Sequence, residues 1–510
     1  MNKLFGDLDK PLFVTSLAII VFLTLFSVCF TDIFGAFWGA LNSWICTNFG
    51  WFYLLIAGMA VLFCFIIAFT KVGKLKLGKD NEKPEHSTFS WIAMLFSAGM
   101  GVALYFWCVS EPLWHYHYTP YLAEPETNGA IVQAMTIITM HNGIHGWALF
   151  AFVGLGIGYA AYRFGKPLSF SSSLYGLIGD RINGPWGKLV NFLFVIVTIA
   201  GLTTSLGMAV LSISYMVSNL TGLSMNLMLE IAVMFAIGLI FILSVSSGLK
   251  KGMARISDWN VYLAIAFGLF VFIVGPSVAI LNLCNQTLGN FINNFAYMTL
   301  WSDYGNTTDG WLGSWTVFYW AWWIAWSPFV GGFLARISKG RTIRQFLLFS
   351  MLLPTALCFI WLNIMGGFTF SLDSAALDNI WQTIQVQNEA GLALMLNELP
   401  LSGIVTVVVI ANVLLFIATS ADAGANYISI VFAKGIPTPK IALRLIVSLV
   451  LLILPIALII GDGLKALQTM SIVMALPFSA VLVLVLISIL KMINMDKKEP
   501  ENKLTDDAII

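Results

Sequence analysis

Five tryptophans stand close together between Trp315 and Trp326, in the segment WTVFYWAWWIAWSPFVGG. The ten residues from Trp326 to the next charge, Arg336, span ~15 Å of helix, which is about half of a ~30 Å hydrocarbon core. Except for Trp315, the tryptophans are therefore expected near the middle of a membrane. Because aromatic faces in a dry interior attract quaternary ammonium groups, this segment predicts a cation site. The residues concerned are Trp320, Trp322, Trp323 and Trp326.

A second set of polar groups occurs in the apolar stretch around residue 420. Thr419 and Ser420 offer adjacent hydroxyl groups, and Asp422 follows two residues later. Oxygen ligands suit small hard cations, so these hydroxyls could complete a sodium site with carbonyl groups of an unwound helix. Alternatively, the hydroxyls bond back to carbonyls of their own helix. Asp422 is a functional candidate because ionisable residues are rare in membrane spans, although it could also pair with a neighbouring helix.

Composition places most of the chain in lipid. Of 510 residues, 59% are hydrophobic and 10% are charged, whereas soluble domains average about 25% charged residues. The net charge of +1 argues against nucleic acid or an acidic surface as a partner. The six cysteines show no CxxC pair or metal-ligand spacing, so we expect them to be packing residues. The first apolar stretch lacks a small-residue cleavage site, which favours a retained span over a signal peptide.

Twelve apolar stretches in the sequence are long enough to cross a membrane as helices. The chain is therefore predicted to be an all-α integral membrane protein with twelve transmembrane helices. The predicted spans lie near residues 11–31, 51–70, 90–109, 137–162, 190–217, 227–248, 260–282, 314–335, 343–369, 403–432, 442–463 and 468–491.

Positive charge is confined to every second loop. Of the 26 Lys and Arg residues, all except Lys465 fall on one side of the predicted membrane, and the intervening loops are acidic or neutral. Since short cytoplasmic loops carry an excess of Lys and Arg, both termini are predicted to be cytoplasmic. The even number of spans agrees with this orientation.

Two predicted spans contain residues that interrupt helices. The third contains Gly99 and Gly101, and the eighth contains Pro328, which supplies no N–H and crowds the carbonyl group of Ile324. If the first two spans are set aside, the interruptions fall in the first helix of each group of five. Broken helices at corresponding positions indicate an inverted-repeat transporter with its binding site near the midplane. In the alternative interpretation, the glycines only permit close helix packing.

The sequence resembles the betaine/choline/carnitine transporters, and the resemblance covers essentially the whole chain. It rests on WTVFYWAWWIAWSPFVGGFLARISKGRTIRQF at 315–346, together with SAGMG at 97–101, SEPL at 110–113, TSLG at 204–207 and TSAD at 419–422. It implies a ten-helix inverted-repeat (LeuT-like) core preceded by two extra helices, a homotrimer and a bacterial inner membrane. The expected layout is a cytoplasmic N-terminus and two peripheral helices at 1–89, the first repeat at 90–282, an extracytoplasmic connection at 283–313, the second repeat at 314–491 and a cytoplasmic tail at 492–510.

The resemblance also implies a substrate site. Its residues are expected to be Trp114, Asn142, Trp147, Phe150, Trp322, Trp323 and Trp326. The family usually has tryptophan where Asn142 stands and frequently tyrosine where Phe150 stands. The expected aromatic box therefore lacks one wall, and Asn142 offers a hydrogen bond instead. We expect a substrate that differs in shape or methylation from those of other members.

The implied function is import of a quaternary ammonium compound, of the glycine betaine, choline or carnitine class, by alternating access. The retained Gly99–Gly101 stretch and Thr419–Ser420 pair favour sodium coupling, and no cofactor other than sodium is expected. The implied sodium ligands are Ser97, Met100, Phe416, Thr419 and Ser420. Val102-Ala103 replaces part of the glycine-rich run of sodium-driven members, so proton coupling or substrate exchange stays open as the alternative.

A membrane enzyme and a membrane sensor are the competing classes. An enzyme would need a converging set of nucleophile, base or metal ligands, and the five histidines show no HExxH or similar spacing. We therefore predict no catalytic residues. A sensor would need a soluble signalling domain, whereas both predicted tails are short.

Overall fold

The computed structural model describes residues 5–99, 101–247, 250–436 and 438–498. Within these ranges the regular structure is helical apart from one isolated β-bridge between Lys76 and Thr342. The predicted all-α class is therefore confirmed. The helices are α1 (Lys10–Cys29), α2 (Thr31–Phe69), α3 (Thr88–Gly99), α4 (Ala103–His117), α5 (Asn128–Asn142), α6 (Ile144–Phe164), α7 (Tyr175–Ile178), α8 (Pro185–Thr221), α9 (Leu227–Ser247), α10 (Lys250–Val274), α11 (Ser277–Leu300), α12 (Phe318–Ile337), α13 (Ile343–Thr369), α14 (Ser374–Ile384), α15 (Ala390–Asn397), α16 (Ser402–Phe432) and α17 (Ile441–Lys498). Shorter 3-10 segments occupy Lys71–Lys74, Phe170–Leu174 and Gly179–Asn183, and a π-helical turn occupies Gly313–Val317.

Within the described ranges, nine helical stretches are long and apolar enough to cross a membrane, or ten if α10 and α11 are counted as one bent span. Two of the nine lie in α17, at Ile441–Gly461 and Gly463–Lys497. When the bent pair is counted as the seventh predicted span, two predicted spans in the described ranges lack such a helix. They are the third, which is divided, and the eighth, which is rich in tryptophan. A membrane protein with many helical spans is thus confirmed, while the count of twelve and the five-plus-five layout stay predictions.

The third predicted span is interrupted at its glycines. Helix α3 ends at Gly99, and α4 begins at Ala103. Met100 lies outside the described residues. The interruption places the N-terminal end of α4 inside the protein, where Val102 and Ala103 are buried.

The predicted break at Pro328 is wrong, because α12 is continuous from Phe318 to Ile337. Proline removes the N–H that would bond to the carbonyl group four residues earlier, that of Ile324. The side chain of Ser327 supplies the missing donor, since its Oγ donates to the Ile324 carbonyl at 2.8 Å. The irregular backbone lies one turn before α12 instead, in the π-helical turn at Gly313–Val317. Such turns are frequent at functional sites.

The seventh predicted span ends earlier than expected. Helix α10 stops at Val274 and α11 begins at Ser277, and the two axes differ in direction by 110°. The residue before a proline is disfavoured in helical conformation, so Gly275-Pro276 accounts for the bend. The predicted span at 260–282 therefore ends at Val274, and the 24-residue helix α11 follows it. The extracytoplasmic connection at 283–313 stays a prediction.

Helix α12 lies in the centre of the bundle and packs against α6, α8 and α17. Glycines bring α6 and α12 close together: a Cβ atom on Gly331 would lie 2.8 Å from the backbone nitrogen of Gly154. Small residues at helix interfaces allow this approach in membranes. The tryptophan-rich face of α12 is consequently held against its neighbours rather than toward lipid, and Trp320 and Trp322 are fully buried.

Candidate functional site

A narrow internal cavity adjoins the tryptophans of α12. Residues of six helices and of the α3–α4 break surround it, and most of its wall is apolar. Six of the seven residues predicted to bind substrate line this cavity. Its lining residues are Gly101, Val102, Ala103, Leu104, Asn142, Gly146, Trp147, Phe150, Ser205, Trp322, Trp323, Trp326 and Cys358. We refer to it as the aromatic cavity.

The aromatic rings of this cavity contact one another in defined geometry. Trp322 and Trp323 are stacked, with ring centroids 5.2 Å apart and planes inclined by 7°. Phe150 meets Trp323 edge to face at 5.9 Å, and Trp147 meets Phe150 in the same way at 5.5 Å. The rings therefore form a connected wall, and the electron-rich faces of such rings attract a cation.

Hydrogen bonds to the protein fix the tryptophan rings. The indole nitrogen of Trp322 donates to Ser205 Oγ at 3.1 Å. The indole nitrogen of Trp323 donates to the carbonyl oxygen of His141 at 2.6 Å, and that of Trp326 donates to the carbonyl oxygen of Gly201 at 3.1 Å. Since an indole has one donor and no acceptor, these groups are already satisfied. The tryptophans thus offer the cavity aromatic surface and no free polar group.

Asn142 is the exception among the lining side chains. It is 3% exposed, and its Nδ2 donates to the carbonyl oxygen of Ile138 at 3.1 Å. Its Oδ1 is buried without a donor. The hydroxyl group of Tyr319 lies beside this amide, but its single proton is donated to Glu111. Asn142 therefore lines the aromatic cavity with an amide whose oxygen has no protein donor.

Comparison with known proteins identifies the chain. The sequence model of BCCT, the betaine/carnitine/choline family of transporters, matches residues 11–498. The chain belongs to this family. It is accordingly a multi-pass membrane transporter and not an enzyme.

Named relatives of this transporter differ in their substrates. It is 41% identical over 453 residues to a probable glycine betaine transporter of Desulfitobacterium hafniense (strain Y51), covering 88% of this chain and 90% of the relative. It is 36% identical over 510 residues to the high-affinity choline transport protein of Escherichia coli (strain K12), covering 98% and 74%. The ectoine/hydroxyectoine transporter of Virgibacillus pantothenticus is 34% identical over 503 residues, covering 98% and 99%.

Trp114 is the predicted substrate residue that does not line the aromatic cavity of the transporter. Its indole nitrogen donates to Asn388 Oδ1 at 2.6 Å, and its ring packs edge to face against Trp381 at 5.0 Å. Asn388 in turn lines a second, wider cavity of about 520 Å³. That cavity also contains Glu230 and Glu389, and burial raises the pKa of Glu389, with a smaller contribution from Glu230. Trp114 therefore belongs to the wall next to the second cavity.

The predicted sodium ligands are described only in part. Met100 and the side chain of Ser97 lie outside what the structure describes. Phe416, Thr419 and Ser420 lie on α16, and the Phe416 ring is 5.9 Å from that of Tyr105 on α4. Thr419 Oγ1 donates to the carbonyl groups of Leu415 at 3.0 Å and Phe416 at 2.9 Å. The hydroxyl proton of Thr419 thus bonds within α16, as the alternative interpretation expects. The lone pairs of the hydroxyl oxygen stay available to a cation. Sodium binding stays a prediction.

Asp422 has a partner on a neighbouring helix. Its Oδ1 lies 3.0 Å from a guanidinium nitrogen of Arg444, and both side chains are mostly buried. The interpretation of Asp422 as one half of an interhelical ion pair is therefore confirmed, because a paired carboxylate is the usual way to keep a charge inside a membrane protein.

A buried polar cluster behind the aromatic cavity was not predicted from the sequence. Glu111 Oε1 lies 3.2 Å from His115 Nε2 and 2.6 Å from His141 Nδ1, and all three side chains are completely buried. The Tyr319 hydroxyl donates to the other carboxylate oxygen. Its outer members are Thr316, whose Oγ1 is 2.9 Å from His141 Nε2, and Trp311. We call these six residues the Glu111 cluster.

The protonation of His115 decides what the Glu111 cluster can bind. Trp311 Nε1 lies 3.2 Å from His115 Nδ1, and an indole nitrogen can only donate. Nδ1 must then be unprotonated, so the proton of His115 is on Nε2 and points to Glu111. Although ligand atoms of Glu111, His115 and His141 lie within 4.8 Å of one another, Nε2 has no lone pair for a metal. The cluster is a hydrogen-bond network. The i,i+4 spacing of Glu111 and His115 was the only sequence signal for it.

Proposed function

We propose that this transporter imports a methylated ammonium compound of the glycine betaine, choline or carnitine class by alternating access. The single observation that carries the proposal is the aromatic cavity, in which the faces of Trp322, Trp323 and neighbouring rings surround a buried space. Each cation over an aromatic face gains roughly 0.5–2 kcal/mol. Several faces together hold a methylated ammonium group without a carboxylate, and no residue lining the cavity in the described ranges is charged.

A second part of the cavity wall suits the other end of such a compound. Gly101–Leu104, at the N-terminal end of α4, line the cavity. Helix N-termini favour negative charge because their first N–H groups lack partners within the helix and the helix dipole is positive there. A carboxylate or hydroxyl group placed at this end, with the ammonium group against the tryptophans, matches both walls. The names of the relatives support the class: they include glycine betaine and choline transporters.

The proposed fold, orientation and assembly follow from the family and the charge pattern. We assign a ten-helix inverted-repeat core preceded by α1 and α2, with both termini on the cytoplasmic side of a bacterial inner membrane and three copies per assembly. The confinement of Lys and Arg residues to every second loop supports this orientation. The interruption between α3 and α4, beside the cavity, supports the repeat architecture.

Sodium is proposed as the coupling ion. Its support is the hydroxyl pair Thr419–Ser420 on α16 together with the glycine-flanked break between α3 and α4. Proton-coupled uptake, or exchange of one substrate for another, is the alternative.

Uptake into proteoliposomes tests both the substrate class and the coupling ion. Labelled glycine betaine, choline and carnitine are offered with and without an inward sodium gradient at a fixed membrane potential. We expect uptake of at least one compound to rise with the sodium gradient and to lose this dependence in Thr419→Ala. Ser429→Ala is the matched control, because its buried hydroxyl on α16 bonds only to the Ala425 carbonyl group.

The possible failures of this experiment are distinct. If a proton gradient alone drives uptake equally well, the coupling ion is the proton and not sodium. If substrates exchange across the membrane without any gradient, the transporter is an exchanger and not a symporter. If none of the three compounds is bound or transported, the proposed substrate class is wrong.

A further inference from the structure

One polar atom of the aromatic cavity is left without a partner. Among the side-chain nitrogen and oxygen atoms of the described lining residues, Asn142 Oδ1 is the buried one that accepts no hydrogen bond. Ser205 Oγ, by contrast, donates to the Gly201 carbonyl group at 3.1 Å and accepts from Trp322 at 3.1 Å. A donor directed at this amide oxygen would complete its hydrogen bonding.

The orientation of this amide is fixed by its surroundings. Nδ2 donates to the carbonyl oxygen of Ile138, one turn earlier on α5. Reversing the amide would set two oxygens against each other, since a carbonyl group can only accept. The neighbouring Tyr319 cannot supply the donor either, because its proton is committed to Glu111. Asn142 thus presents an acceptor and not a donor.

A buried acceptor without a partner raises the free energy of the protein. A ligand that fills the cavity either supplies the missing donor or leaves the acceptor unpaired. A trimethylammonium group carries only C–H bonds around its nitrogen, so it would exclude water from Oδ1 without replacing the hydrogen bond. A dimethylammonium group keeps one N–H, and a hydroxyethyl chain carries an O–H. Both retain methyl groups for the aromatic faces.

We infer that the preferred substrate carries a hydrogen-bond donor on or next to its cationic nitrogen, and that Asn142 Oδ1 accepts it. This inference rests on the proposed function and narrows its substrate class. Asn142 is then a specificity-determining residue. It selects among methylated ammonium compounds by their hydrogen-bond donor, which the aromatic wall cannot recognise.

Two pairs of compounds test the inference, each differing by a single donor. N,N-Dimethylglycine and glycine betaine differ by N–H against N–CH₃, and choline and ethyltrimethylammonium differ by O–H against C–H. Binding to the purified transporter is measured by calorimetry at neutral pH, where the amine of dimethylglycine is protonated. In at least one pair, we expect the donor-bearing compound to bind about tenfold more tightly, equal to ~1.4 kcal/mol. The pair that responds distinguishes an N–H from an O–H donor.

The variant Asn142→Leu removes the acceptor while keeping the size of the side chain. We expect it to abolish the preference within the responding pair and to keep binding of the compound without the donor. Asn363→Leu is the matched control: Asn363 is completely buried, its Nδ2 donates to the Phe359 carbonyl group and its Oδ1 is unpaired, but it lies outside the cavity lining.

Each outcome has one meaning. Equal affinities within both pairs, tighter binding of both donor-free compounds, or a preference that survives in Asn142→Leu would overturn the inference while leaving an ammonium transporter. Loss of the preference in Asn363→Leu as well would also overturn it, because the effect would not belong to the cavity. Absence of binding of all four compounds would overturn the proposed function itself.

Discussion

The aromatic cavity and the Glu111 cluster share three helices, α4, α5 and α12, and both are buried. In the cluster, the Glu111 carboxylate accepts hydrogen bonds from His115, His141 and Tyr319. In the cavity, Asn142 Oδ1 has no donor. His141 and Asn142 are consecutive residues, so a side chain of the fully bonded cluster is followed directly by one with an unpaired acceptor.

This difference separates two uses of buried polar groups. A fully bonded network of this kind holds helices in one arrangement, since any displacement leaves buried donors unpaired. A cavity that retains an unpaired acceptor is matched to a ligand instead. The two regions are also connected, because the carbonyl group of His141 accepts the indole proton of Trp323. The Glu111 cluster thereby positions one wall of the aromatic cavity.

Removing the central acceptor should have the largest effect. Glu111→Gln leaves buried donors of two histidines and a tyrosine without their carboxylate, and breaking a buried charged network costs about 3 kcal/mol. We expect the unfolding free energy in detergent to fall by about this amount. Thermal unfolding of the purified transporter, followed by circular dichroism, measures the loss.

The control for this prediction is an ion pair at the surface. Glu126 lies 2.7 Å from His117 but is 63% exposed, and exposed pairs contribute at most about 1 kcal/mol. Glu126→Gln should leave the unfolding temperature nearly unchanged. Equal stability of Glu111→Gln and the wild-type protein would show that the cluster does not hold the helices together.

Removing one aromatic wall should reduce affinity rather than stability. Trp323→Leu deletes the ring that stacks on Trp322 and faces Phe150, and we expect substrate to bind at least tenfold more weakly, equal to ~1.4 kcal/mol. Equilibrium binding of labelled substrate checks this value. Trp91→Leu is the control, since Trp91 is a buried tryptophan outside the cavity lining and its indole donates to Ser338 Oγ at 2.9 Å. Similar affinity losses in both variants would argue against Trp323 as a direct anchor.

A smaller effect is expected from narrowing the cavity. A Cβ atom at Gly146 would lie 2.9 Å from Cδ1 of Trp323, whose ring is fixed by its bond to His141. Such overpacking costs about 1 kcal/mol, so Gly146→Ala should weaken substrate binding about fivefold. The same titration on Gly158→Ala provides the comparison, because a Cβ atom there would approach no closer than 3.4 Å to its neighbour Ala335. Unchanged affinity in Gly146→Ala would mean that the wall yields to the added methyl group.

Much of the site could be predicted from the sequence. The aromatic residues carry a specific pattern, and their helices converge as the family resemblance implies, so Trp147, Phe150 and the α12 tryptophans all line one cavity. Trp114 was placed less well, because its neighbour Asn388 lies 274 residues away and no local pattern indicates that contact. The Glu111 cluster was missed for the same reason. Its members come from three separate helices and from the segment before α12, and each histidine considered alone is an ordinary buried side chain.

Backbone geometry was harder to predict than the position of spans. Pro328 indicated a broken helix because the sequence shows the lost N–H, whereas the replacement donor depends on the rotamer of Ser327. At Gly275-Pro276 the opposite error occurred, since a continuous apolar stretch concealed a sharp bend. Hydrophobicity indicates that a segment is buried in lipid or protein. It does not indicate whether the helix continues past a proline, because that depends on local hydrogen bonds.

The parallel stacking of Trp322 and Trp323 has a spectroscopic consequence. Two indoles 5.2 Å apart with planes only 7° from parallel couple their electronic transitions, so the pair should give a distinct near-ultraviolet dichroic band. The difference spectrum between the wild-type protein and Trp323→Leu isolates this band from the other tryptophans. A cation seated against the pair perturbs the coupled transitions, which makes the transporter its own optical reporter of occupancy and allows unlabelled compounds to be screened directly.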